Sequence, residues 1–264
     1  MRFGFGDNWI DYLATIDEAK IEASRRRLKQ IVNIELKGKS FIDIGCGSGV
    51  HSLSAVKEGA IVSSFDFDEN SVLAAKKLRS LQNVSNELWQ IEKGDVLSKE
   101  YLEKYKKFDI VYSWGVLHHT GHMWQAIENA AEIVSQNGYL CIAIYNDQGW
   151  KSKFWWYVKY IYNSLPQKIN KIYAYFLGMF FIFLNILKYT LLLKPMVAIG
   201  PLLNYKADRG MNILNDLVDW YGGFPFEYAS IDDLEKYLRS KGFEMVNVIS
   251  TNSLGCNEML FHKI

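Results

Sequence analysis

Residues 40–51 read Ser-Phe-Ile-Asp-Ile-Gly-Cys-Gly-Ser-Gly-Val-His, and no other stretch constrains the fold as much. Phe41, Ile42 and Ile44 form an apolar run of strand type. Gly45, Gly47 and Gly49 follow at alternate positions, and a helical pattern opens at Val50 with Leu53, Val56 and Lys57. Strand, glycine turn and helix in that order make the corner of a βα unit. A Cβ at any of the three glycines would fill the space through which backbone approaches a ligand, and the free N–H groups of the next helix suit a polar or negative group. A plain tight corner would use the same glycines, so the rest of the chain has to identify the occupant.

At 264 residues the chain suffices for one sizeable domain, or for a domain carrying an insertion. A formal net charge of +1 supplies no global field for nucleic acid or an acidic surface, so no nucleic-acid partner is expected. Cys46, Cys141 and Cys256 form no CxxC pair, and the first two fall in or beside strand patterns. Buried thiols in a reducing cytoplasm are the expectation. The N-terminal residues Met1–Asp7 have no charged head followed by an apolar core, which excludes a signal-peptide reading of that segment.

Along the chain, the aromatic start (Phe3, Phe5, Trp9, Tyr12) leads to a helix from Thr15. Its Arg25-Arg26-Arg27 run is expected on a solvated face, partly paired with Glu22. A second strand, Ala60 to Asp66, ends on an acid 17 residues beyond Gly49, where a doubly wound fold places a ribose-binding carboxylate. Asp68 suits the N-cap of the following helix. A third strand (Glu87 to Ile91) precedes Gly94-Asp95-Val96, and Asp95 reads either as an acceptor for an adenine amino group or as an ordinary turn residue. Phe108 to Trp114 is a fourth strand, Gln136-Asn137-Gly138 a turn, and Tyr139 to Tyr145 a fifth strand. The alternation implies a parallel sheet with right-handed crossovers. It stops at Asn146 and resumes near Ala229 with a helix (Ile231 to Ser240) and strands Phe243 to Ile249 and Glu258 to His262. The short Ser253–Asn257 turn makes the final strand antiparallel.

With these motifs in order, the chain resembles the class I S-adenosylmethionine-dependent methyltransferases. The resemblance covers Lys39 to Asn146 closely, and the terminal helix and hairpin in topology. It implies a seven-stranded, mostly parallel, doubly wound α/β sheet with an antiparallel last strand, and an aromatic-rich helical lid inserted after the fifth strand. The division that follows is 1–36 (aromatic segment and helix), 37–146 (cofactor-binding core), 147–229 (lid and substrate insertion) and 230–264 (helix and hairpin completing the sheet). S-adenosyl-L-methionine is the implied cofactor, bound by Asp43, Gly45, Gly47 and Gly49 at its methionine end, by Asp66 at the ribose and by Asp95 at the adenine. Trp9 and Tyr12 would close over it. A nicotinamide dehydrogenase would show GxGxxG rather than Gly45-x-Gly47-x-Gly49, and would not predict the antiparallel hairpin.

The acceptor is less constrained. Ser113-Trp114-Gly115-Val116 lacks the prolines that accompany transfer to ring or amide nitrogen, and Trp114-Gly115 supplies no acid for a magnesium site. Metal-free transfer to a small-molecule oxygen is the expectation. His118 and His119 are the nearest titratable residues to the expected methyl position, as bases or as pocket walls, with Tyr145 as the alternative base. His118, His119 and His122 could instead hold a metal, although no convergent acid or cysteine accompanies them. Asn146 and Asp147, at the end of the fifth strand, and Arg209 and Tyr221, in the insertion, are the candidate substrate residues. Arg209 would clamp a phosphate or carboxylate, or pair with Asp208 or Asp219. Ile172 to Leu187 carries no charge, and the stretch 172–193 reads as a buried lid helix or homodimer surface, or as a helix lying on a membrane. The leading expectation is O-methylation of a polar small molecule such as a sugar or phosphorylated glycan precursor, in the cytoplasm. The alternatives are a quinone- or lipid-directed enzyme at the membrane surface and a non-catalytic cofactor-binding regulator.

Overall fold

The computed structural model describes Leu13, residues 16–203 and residues 213–264. Trp9, Tyr12 and Arg209 lie outside the described residues. The chain divides into a core unit, Met1–Lys153 with Pro225–Ile264, and a helical unit, Phe154–Phe224.

The core unit is built on seven strands: β1 (Ser40–Ile44), β2 (Ile61–Asp66), β3 (Trp89–Lys93), β4 (Phe108–Trp114), β5 (Val134–Tyr145), β6 (Phe243–Ile249) and β7 (Cys256–Lys263). Their order is β3-β2-β1-β4-β5-β7-β6, and β7 runs antiparallel to both neighbours. This is the doubly wound sheet with an antiparallel last strand implied by the resemblance. Order reverses at β1, between β2 and β4, so a crevice opens beyond the carboxyl ends of those strands. Both faces of the sheet are covered. One core gathers Ile42, Ile44, Val111, Ile142 and Phe261, and the other Phe41, Val62, Ile110, Tyr112 and Leu260.

The core helices are α1 (Glu18–Val32), α2 (Val50–Lys57), α3 (Glu69–Leu81), α4 (Lys99–Glu103), α5 (Met123–Glu132) and, after the helical unit, α10 (Ile231–Arg239). Side-chain caps fix where four of them begin: Asp17 for α1, Asp68 for α3, Ser98 for α4 and Ser230 for α10 each accept a backbone N–H of the first turn. The arginine run departs from a plain solvated face. Arg25 pairs with Glu22 at 2.8 Å as expected, but also with Glu58 at 2.6 Å, and Arg27 reaches the buried Glu258 of β7 at 2.5 Å. Two of the three arginines therefore hold α1 against the next helix and the sheet, and only Arg26 is exposed.

A second departure is at Gln136-Asn137-Gly138. The turn expected there lies inside β5, as a bulge with Asn137 at φ 60° and a register shift opposite Phe108–Ile110. Asparagine and glycine tolerate the left-handed backbone that a bulge needs as readily as one at a turn.

In the helical unit, α6 (Trp150–Ser164), which begins before it, is followed by α7 (Gln167–Leu191), α8 (Met196–Leu203) and α9 (Ile213–Gly222). Its interior holds Val158, Tyr162, Ala174 and Tyr221. Gly178 lets α7 approach α9, since a Cβ there would come within 2.6 Å of Leu217.

Candidate active site

The β1–α2 corner is held by its own backbone. The N–H groups of Gly45 and Cys46 both donate to the carbonyl of Phe65, at 2.8 and 3.2 Å, and Gly45, Gly47 and Gly49 all adopt positive φ. The space that the glycines leave is not all reserved for a ligand, contrary to the sequence expectation. A Cβ on Gly45 would overlap the Val116 side chain, and one on Gly49 would come within 2.8 Å of the Trp89 ring. Those two glycines admit protein side chains from the loop after β4 and from β3.

Asp66 completes the corner. One of its carboxylate oxygens accepts the Gly47 N–H and the other the Asp68 N–H, each at 2.9 Å. Burial pushes its carboxyl up to about 6, against those hydrogen bonds. Asp43 lies deeper and takes part in a chain of buried donors. The Trp89 indole N–H donates to Ser64 Oγ (2.7 Å), Ser64 to Ser52 Oγ (2.8 Å), and Ser52 to Asp43 Oδ2 (2.5 Å). Every donor in this series points toward the carboxylate, which stabilises its charged form. Burial still dominates and raises the Asp43 carboxyl to about 7.

A group raised from 3.8 to about 7 keeps a proton in the folded protein that the unfolded chain has already released. Its ionisation therefore opposes folding increasingly as pH rises through that window, and the opposition persists above it. Asp43→Asn should raise the melting temperature of the cofactor-free protein, with a gain that grows as the pH is raised from about 4 to about 7. A melting temperature that is unchanged or lower across that range would show that the buried charge costs nothing.

A cavity of about 560 Å³ opens over this corner. Asp66, Phe67, Asp95 and Val96 line it, together with Asp43, residues 45–48, His51, Trp114, Val116, His119 and Tyr145. Asp95 accepts the Leu97 N–H at 2.9 Å, an Asx-type turn that holds its carboxylate in place. Phe67, His51 and Trp114 are not among the site residues to which the sequence motifs point. Burial lowers the His51 imidazole to about 4, so it is a neutral ring at physiological pH.

His118 and His119 have different surroundings. They sit in a short 3-10 turn, Leu117–His119. His118 is buried, with its ring centroid 4.0 Å from that of Tyr145, and does not line the cavity. His119 does line it, and its Nδ1 is 2.7 Å from the carbonyl oxygen of Pro225. A carbonyl can only accept, so Nδ1 carries the proton and the lone pair of the neutral ring is on Nε2. The segment that supplies this carbonyl is fastened to the same loop. The Glu227 N–H donates to the His118 carbonyl at 3.0 Å, and the Glu227 carboxylate accepts the Met123 N–H at the start of α5. Burial holds the Tyr145 phenol far above its ordinary range, which leaves it a protonated wall rather than a base at neutral pH.

The remaining candidates have partners of their own. The Asn146 amide donates to the carbonyls of Thr251 and Ser253 and accepts from Asn257, so it braces the β6–β7 turn. Asp147 is exposed and accepts the Gly149 N–H. Tyr221 is buried in the helical unit against Trp155 and Tyr173. Neither Asn146 nor Asp147 lines the cavity.

The strand order and the glycine corner define a Rossmann-like doubly wound core. Residues 42–140 match the family model described as a methyltransferase domain. Among curated relatives, the chain is 32% identical over 154 residues to a ubiquinone biosynthesis O-methyltransferase of Coxiella burnetii, covering 57% of this chain and 63% of that protein. Over 63 residues it is 43% identical to a ribosomal protein L11 methyltransferase of Wolinella succinogenes, covering 24% of this chain and 23% of that one. The chain thus spans less than two thirds of these relatives. Among solved structures, magnesium protoporphyrin IX methyltransferase from Synechocystis with bound SAH superimposes with a TM-score of 0.54 at 15% identity, covering 100% of this chain and 90% of that one. An O-methyltransferase family protein from Burkholderia thailandensis gives 0.56 at 12%, covering 93% and 57%. These two likenesses concern the fold.

Proposed function

We propose that the protein transfers a methyl group to a hydroxyl oxygen of a small, largely apolar ring compound, with His119 as the base. The bound cofactor would supply an electrophilic methyl group on a sulfonium centre and would leave as the neutral thioether S-adenosyl-L-homocysteine, its carbon–sulfur bond breaking as the new carbon–oxygen bond forms. The chain's own residues then do three things. The Gly45–Ser48 backbone with Asp43 holds the amino-acid end, while Asp66 and Asp95 accept hydrogen bonds from the nucleoside. His119 Nε2 takes the hydroxyl proton as the acceptor oxygen forms its new bond to carbon. Alignment of the reacting atoms can remove roughly 7–11 kcal/mol from a bimolecular barrier, and a positioned base adds about 10²–10⁴-fold.

The observation that carries this reading is the hydrogen bond from His119 Nδ1 to the Pro225 carbonyl, because it commits the other ring nitrogen to accepting. The apolar acceptor is supported by residues that line the cavity together with His119. Tyr145, Trp114 and Val116 are aromatic or aliphatic, and among the described residues no lysine or arginine lines the cavity. The names of the Coxiella-type relatives point the same way. The sugar or phosphate reading rests on Arg209, outside the described residues.

The test is incubation of the purified protein with methyl-labelled cofactor and separate pools of phenols and quinols, sugar nucleotides, and amines, with the product identified by mass. Label on a ring hydroxyl is the expected result. Label on a sugar or an amine alone, or cofactor binding with no transfer to any pool, would overturn it.

A further inference from the structure

The longest helix of the protein presents an apolar face that its own unit does not cover. Within α7, Ile169–Leu191 is long and apolar enough to cross a membrane by length and composition. It does not stand alone, however. Ala174 is buried, a Cβ on Gly178 would meet Leu217 of α9, and the Phe181 ring is 5.7 Å from that of Trp155 in α6. One face of α7 is therefore committed to the helical unit, which suits a helix lying on a surface better than one spanning a bilayer.

The other face carries Ile172, Phe176, Phe180, Phe183, Leu187 and Leu191, at the three- and four-residue spacing of one helical stripe. Phe176 is 70% exposed and Leu191 76%. The stripe continues past the helix end. Leu193 adopts φ 57°, a left-handed conformation costly for leucine, and its side chain is 90% exposed. This left-handed residue closes the helix, with the Leu193 N–H donating to the Thr190 carbonyl at 2.9 Å and the Lys194 N–H to that of Tyr189 at 2.8 Å, and it leaves the leucine side chain outside.

Charge identifies what covers this face. Residues 148–207 contain eight lysines and neither Asp nor Glu, while all 29 acidic residues of the chain lie outside that segment. Exposed Lys171 and Lys188 flank the stripe and exposed Lys194 follows Leu193. A second copy docked on the same face would bring these lysines together, with no carboxylate in the segment to pair with them. A surface of anionic headgroups over acyl chains matches both the lysines and the apolar stripe.

We propose that the helical unit binds anionic lipid bilayers, with α7 lying in the plane of the interface and the Ile172–Leu193 face in the acyl boundary. The proposal is independent of the acceptor, and its readout requires no methyl transfer, so either can fail without the other. The experiment is flotation of the full chain with phosphatidylcholine vesicles, with and without phosphatidylglycerol. Binding is expected to the anionic vesicles and to weaken as salt is raised. Phe176→Glu with Phe183→Glu should reduce the bound fraction at least about tenfold. The triple exchange of Lys171, Lys188 and Lys194 to glutamine lies at exposed positions and keeps the test sound if the glutamates disturb folding. It should abolish the preference for anionic vesicles. No flotation with either vesicle type, or binding that neither variant alters, would overturn the proposal. So would a stable dimer in solution, seen by light scattering, that the glutamate pair dissociates.

Discussion

Replacing Asp66 by alanine should lower cofactor affinity by about 10²–10⁴-fold, the equivalent of two hydrogen bonds to a charged group at roughly 1.5–3 kcal/mol each. Its carboxylate has two duties. It orders the glycine corner by accepting from Gly47 and Asp68, and it faces the cavity where the ribose hydroxyls are expected. Asp66→Asn separates them, since the amide keeps one acceptor for the corner but loses the charge, so its loss should be smaller. The carboxyl titrates near 6, and its ionised form is the acceptor. Wild-type affinity should therefore weaken as pH falls through about 6, and the asparagine variant should keep only the dependence that Asp43, raised to about 7, contributes. Calorimetric titration across this range reads all three outcomes, with circular dichroism to confirm folding. Unchanged affinity in Asp66→Ala would dismiss the cofactor site as drawn.

Legibility in the sequence followed the range of the interaction. The position of Asp66 is readable because the strand, the glycine turn and the next strand are close in sequence and the acid ends β2. The strand order followed likewise, from regular alternation and one short hairpin turn. What could not be read depends on partners distant in the chain. Gly45 and Gly49 looked reserved for a ligand, yet their neighbours are Val116 and Trp89. Asn146 has the chemistry of a substrate contact, but Thr251, Ser253 and Asn257 occupy its amide. Arg27 lies in a charge run typical of a solvated face, and only the sheet topology brings it to Glu258, 231 positions away. A signal for His51 was available in its position, one residue after the start of α2 at the glycine corner. The Pro225 carbonyl left none, because a backbone oxygen has no sequence signature.

That carbonyl is also what separates two adjacent histidines. His119→Ala should lower kcat by about 10²–10⁴-fold while leaving cofactor affinity near the wild-type value, because the glycine corner and Asp66 do not depend on its ring. The wild-type rate should fall toward acid pH, where the base is protonated and Nε2 no longer accepts. In the variant that acid limb should vanish along with the rate. His118→Ala is the control. Its ring lies buried beneath Tyr145 and outside the cavity, so its removal should act through packing, lowering stability by about 1–3 kcal/mol with an acid limb still present. If His119→Ala kept full turnover, or lost it while retaining the acid limb, proton removal would belong to another group. Tyr145 would be a poor substitute because burial holds its proton. His51 would be poor for the opposite reason: with its imidazole lowered to about 4, it binds a proton too weakly to draw one from a hydroxyl. Of the residues that line the cavity near Tyr145, His119 alone combines an imidazole with a backbone carbonyl that fixes which nitrogen accepts.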